Sequence, residues 1–133
     1  MNAVQIEQAL TAFWAAVLSL EVDNTILRGP IPPNKDDCCG VILGTEITDI
    51  NPHLRKQNCQ LLGMYEDRDM AMNLHKAALD ALPVESFEIV IPGDLTVKIR
   101  GIHPRGDGGT FPIDHKGSTF HQFSLNFIVI FES

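Results

Sequence analysis

Three histidines, His103, His115 and His121, flank a stretch that also carries Asp107 and Asp114. Imidazole nitrogens and carboxylate oxygens are what a zinc-type ion binds, so this set is the first candidate for a metal site. No pair has a spacing that forces convergence, as two histidines four apart on a helix would, and the residues read as solvated. His53 and His75 lie elsewhere. Cys38-Cys39 follows Asp36-Asp37 and precedes Gly40. A nucleophilic thiolate needs a base or a helix N-terminus beside it, and this segment leads into a strand-like run instead. Gly106, Gly108 and Gly109 cluster, but no helix follows to aim amides at a phosphate. Neither a Gly-x-Ser-x-Gly elbow nor a phosphate or dinucleotide loop occurs. Arg105-Gly106-Asp107 spells a cell-adhesion tripeptide, a match short enough for chance. Glu66 to Asp69 is a charge cluster that capping of a following helix explains. The expectation is a protein that is not an enzyme, with no catalytic residue, metal or cofactor. The alternative is a small adaptor, or a ligand- or metal-binding α+β domain in which His103, His115, His121 or Cys38 converge.

The totals agree with a self-sufficient fold. A chain of 133 residues, 44% hydrophobic and 20% charged, reads as one globular domain over 1–133. The net charge of −7 and the scatter of Lys and Arg argue against a grip on nucleic acid. Three cysteines, Cys38, Cys39 and Cys59, make an odd set with one adjacent pair. They read as free thiols, which suits a reducing cytoplasm. Thr11 to Leu20 is apolar, but no basic residue precedes it and Glu7 and Glu21 flank it. It is too short to span a bilayer, which takes about 20 apolar residues, and reads as a buried helix rather than a membrane or signal segment.

The elements that would position these groups follow from periodicity. Residues 2–20 predict a helix capped by Asn2, with Ile6, Leu10, Phe13 and Val17 on one stripe and Ala9, Trp14 and Leu18 widening it. A face that broad should lie against a sheet, a neighbouring subunit, or both. Residues 29–37 hold three prolines and form a connector. Residues 39–47 predict a strand, 48–56 a loop around Asn51-Pro52, and 58–65 a second strand. Asp67 caps a helix to about Leu82, with Met70, Leu74, Ala77, Ala78 and Ala81 inward, and Pro83 ends it. Residues 85–91 and 95–102 form a hairpin about Pro92-Gly93-Asp94. Residues 103–118 hold four glycines and two prolines and predict a long loop without a hidden element. Residues 119–131 predict a very long last strand, with Phe123, Leu125, Phe127, Val129 and Phe131 on one face. Its length suggests that it bends, or that its first half projects beyond the sheet. Strands and helices do not alternate, so the class is α+β: a mixed, mostly antiparallel sheet, two helices packed on it, and a long C-terminal strand.

This layout resembles the tail terminator family of long-tailed bacteriophages, whose members are also described as minor capsid or head–tail joining proteins. The resemblance rests on the first helix with its Pro-rich connector, on Met64-Tyr65-Glu66-Asp67-Arg68-Asp69, and on Asp114-His115-Lys116-Gly117-Ser118 followed by Phe123-Ser124-Leu125-Asn126-Phe127-Ile128-Val129. Where the family pattern has Gly-Arg, this chain has Gly117-Ser118. It implies a ring of identical copies, a hexamer, at the head-proximal end of a tail tube. The ring would meet tube and head-connector proteins, pass DNA as cargo, touch no membrane, and be assembled into a virion in the bacterial cytoplasm. Six copies would carry about 42 negative charges, which would keep a DNA channel slippery. Under that resemblance the 103–118 loop, with Arg105, Asp107, Asp114, His115 and Lys116, projects into the channel or onto the adjoining ring.

Overall fold

The last strand organises the molecule. The computed structural model describes residues 2–47, 53–106 and 108–132. Along the chain run α1 (Ala3–Leu18), β1 (Ile26–Arg28), β2 (Cys38–Ile47), β3 (Leu54–Tyr65), α2 (Arg68–Asp80), β4 (Phe87–Ile91), β5 (Leu95–Pro104), β6 (Gly109–His115) and β7 (Ser118–Glu132). The seven strands make one sheet in the order β1-β2-β3-β7-β5-β4, with β6 also paired to β7. β1 and β2 are parallel, and the named pairs among the other strands are antiparallel. The class is α+β, with two helices and a long C-terminal strand, as the periodicity predicts.

β7 acts as a rail with neighbours on both sides. β3 follows it from Tyr65 opposite His121 to Leu54 opposite Glu132. On the other side β6 takes the first part, with His115 opposite Ser118 and Gly109 opposite Ser124. β5 takes the second part, from Pro104 opposite Phe127 to Ile99 opposite Phe131. β5 and β6 are therefore two pieces of one interrupted strand.

This corrects two expectations. Residues 103–118 are not a structureless loop, because the breakers fall at the ends of strands. Gly106 and Gly108 have φ of 81° and 67° and make the break between β5 and β6. Lys116 and Gly117, at φ 52° and 75°, form the two-residue turn of the β6–β7 hairpin, the arrangement that matches the twist of paired strands. Pro112 lies in β6, which pairs only with β7 among the described residues, and an edge strand tolerates a missing N–H. The first half of β7 does not project either, since β6 and β3 flank it.

Parity along β7 separates two faces. Phe123, Leu125, Phe127, Val129 and Phe131 are fully buried under the helices. Cys59, Leu61 and Tyr65 of β3 share that face, as does Val41 of β2. α1 presses Ile6, Leu10, Trp14 and Leu18 onto it, and each fully buried side chain of this kind contributes about 1.5–3 kcal/mol. The Trp14 ring meets Phe127 edge-on at 5.5 Å, and Phe13 stacks on Phe87 at 5.1 Å. Asn2 caps the helix in a reciprocal box with Gln5, which occupies two otherwise orphaned amides.

Further boundaries differ from expectation. β3 begins at Leu54, inside the span read as a loop; Arg55, Lys56 and Gln57 are polar, yet they pair with Phe131, Ile130 and Val129. Asn51-Pro52 lies outside the described residues. The short β1 sits in a segment with too few residues for a period. α2 is capped by Asp67, whose side chain accepts from the amides of Asp69 and Met70. Its inward residues are Ala71, Leu74 and Ala78, whereas Met70 and Ala77 are exposed. Alanine carries little side-chain signal, so the helix rotates to place His75 near the Phe123 ring, at 5.7 Å.

Candidate functional site

Three of the loop residues named from sequence lie at the β6–β7 hairpin, and one lies far from them. Asp114 and His115 end β6, and Lys116 begins the turn. His115 Nε2 lies 2.8 Å from Asp36 Oδ1 in the Pro-rich connector, and Lys116 Nζ lies 3.3 Å from the same oxygen. The His115 hydrogen bond, helped by Lys116, holds the Asp36 carboxyl below the usual carboxylate range. His115 also sits edge-on to Phe120 at 4.9 Å. Asp114 is exposed, opposite Thr119. Arg105 stands at the β5–β6 break, where its amide donates to the Asn126 carbonyl at 2.8 Å and its guanidinium donates to Asn58 Oδ1. Eight positions of β7, about 26 Å, separate the residues opposite these two places. Asp107 lies outside the described residues.

The hairpin is thus tied to its own chain. Asp36, which no local pattern distinguishes, is the residue that ties it. The connector crosses the sheet face opposite the helices: Ile31 lies over Gly40, where an added Cβ would come within 3.2 Å of it. Cys38, Met64 and Phe120 are buried on that same face.

The histidines stay apart. His103 is opposite Ile128 and His121 opposite Tyr65, about 23 Å apart along β7. His115 and His121 project from opposite faces by strand parity. Among the described residues no group of three His, Cys, Asp or Glu could hold a metal ion. All three cysteines are buried and free. Burial pushes the thiols of Cys39 and Cys59 up to about 12 and raises that of Cys38. Cys39 Sγ lies 3.2 Å from the Tyr65 hydroxyl, whose own pKa is raised by burial. A thiol kept protonated is a poor nucleophile. A recess of about 260 Å³ opens beside Asn58, Arg105 and Asn126. No described helix is long and apolar enough to cross a membrane.

What the surface does offer is strand edge and half-covered apolar layer. Among the described residues β4 pairs only with β5, and β1 covers only Cys39–Val41 of β2. The fold is similar to that of a chain in the virion of a native gene transfer agent particle. The superposition covers 98% of this chain and 92% of that one, with a TM-score of 0.50 and 17% identity. At that identity the likeness to the virion chain is one of fold. No protein-family model matches the sequence, and no curated protein does.

Proposed function

We propose that this chain is a structural subunit of a phage-like virion that works by assembling with copies of itself and not by catalysis. The carrying observation is the near end-to-end likeness of fold to a virion chain. It agrees with a sheet whose two outer edges have no partner strand among the described residues. Within that reading, its place is a tail terminator or head–tail joining ring, a hexamer that caps the tail tube and passes DNA. Buried, protonated thiols and separated histidines suit a scaffold, and a net charge of −7 suits a channel that does not hold phosphate. The ring would form in the host cytoplasm and remain in the virion beside tube and connector proteins.

Light scattering on the purified chain tests this. A mass of six subunits, with rings in negative stain, is the expected result. A monomer at tens of micromolar would overturn the reading, and a dimer would favour an adaptor that pairs through one edge.

A further inference from the structure

Resting on the ring reading, we infer that β4 of one copy adds to the Ile42–Ile47 half of β2 in the next copy, so that the sheets run on around the ring. Unpaired strand edges carry rows of N–H and C=O groups that seek a partner. Here the partner position is half built. β1 runs parallel to β2 beside Cys39–Val41 and stops at Arg28, where the Gly29 amide donates to the Val41 carbonyl at 2.8 Å. Beyond it, Ile42–Ile47 has no strand outside it among the described residues. Four reversals from β2 through β3, β7 and β5 leave β4 pointing the same way as β2. A copy carried round a ring axis therefore offers β4 in the sense of β1, in line behind it. A two-fold axis would instead bring β4 against β4, giving a closed dimer.

The stagger fits as well. Leu43 and Glu46 bracket the middle of the free β2 edge, at the level of Ile128, through Cys59 opposite Phe127 and Gln57 opposite Val129. Ile89 is opposite Val97, two residues past Ile99, which is opposite Phe131. The two edges are offset by about 16 Å along the strands, and the five strand steps round to the next copy span about 24 Å. That ratio corresponds to a strand tilt of about 35°, within the range that closes a sheet on itself.

The side chains agree. Leu43 at one edge and Phe87 and Ile89 at the other are half-buried and packed on the core, so each edge leaves apolar surface that the other would cover. Each edge carboxylate already has a cation from the strand behind it: Glu46 with Arg55 at 2.6 Å, and Glu88 with Lys98 at 4.0 Å. Two edges of an acidic chain can meet without bare like charges.

Oxidative crosslinking with light scattering tests the pairing. The native thiols are buried and stay silent. The doubly substituted chain, Leu43→Cys with Ile89→Cys, is expected to give a covalent ladder up to the ring mass, and each single variant none. The exposed pair Thr45→Cys with Val90→Cys repeats the test should the first pair perturb folding. Crosslinking by Ile89→Cys alone would overturn the inference in favour of a symmetric dimer. A ring of normal mass with no ladder in either double variant would overturn it while leaving the ring reading standing. A monomer without crosslinks would remove both.

Discussion

The two faces of β7 make the clearest contrast in the molecule. On one face Phe123, Leu125, Phe127, Val129 and Phe131 are all sealed beneath the helices. On the other, Ser124, Ile128 and Ile130 are half-buried and Asn126 is exposed. The same backbone hydrogen bonds serve both. The difference shows that the helix side is sealed along the whole strand, whereas the opposite side is closed only in part, where the Pro-rich connector crosses it and where Met64 and Phe120 are buried.

Substitutions can break that contrast. Phe127→Ala should cost about 3–5 kcal/mol, the range for emptying a large aromatic site in a packed core. Its neighbour Ile128→Ala should cost about 1 kcal/mol or less, as for positions away from the core. Urea denaturation of both variants reads the gap, and equal losses would show that the second face is also structural. Gly63 stands opposite Phe123, and a Cβ there would fall 1.9 Å from its ring. Gly63→Ala should therefore cost about 1–3 kcal/mol through overpacking. Adding Phe123→Leu should recover part of that loss in a double-mutant cycle; strict additivity would mean that the ring moves aside freely.

The smallest effect is at the hairpin. The Asp36 carboxyl is lowered in the folded protein, chiefly by the hydrogen bond from His115. A lowered carboxyl contributes stability that is full above its unfolded value, about 3.9, and is lost as pH falls through the lower folded value. The stability gap between wild type and Asp36→Asn should stay level above about pH 5 and close below that window. A gap that widens in acid would reverse the sign. The β6–β7 ladder should hold in the variant, while amide exchange in residues 30–36 quickens.

Sequence periodicity reveals what has a period. The face of β7, the capped first helix, the β4–β5 hairpin and the α+β class all follow from apolar spacing and turn residues. β6 did not, because Gly109, Pro112 and Asp114 are poor strand formers that persist only against the β7 rail. The rotation of α2 escaped for a related reason: Ala71, Ala77 and Ala78 differ in burial but not in side chain. As for the candidate loop, His115 and Lys116 do lie together, yet their common partner Asp36 is 79 residues away from His115 in sequence. Only the folded chain brings that contact into view. The edges at β2 and β4 were hidden too, since a strand's pattern tells which face is apolar and not whether a neighbour lies beside it.

The interruption between β5 and β6 has a practical consequence. Because β5 and β6 are each seated on β7 independently, a backbone cut at Gly106 would leave the N-terminal piece zipped through β3 and β5 to the β7 strand of the C-terminal piece. New termini, or a grafted peptide, could be introduced there with the register on either side kept by the ladder itself. That makes this short break the natural point at which to split the subunit or load a tag without dismantling its sheet.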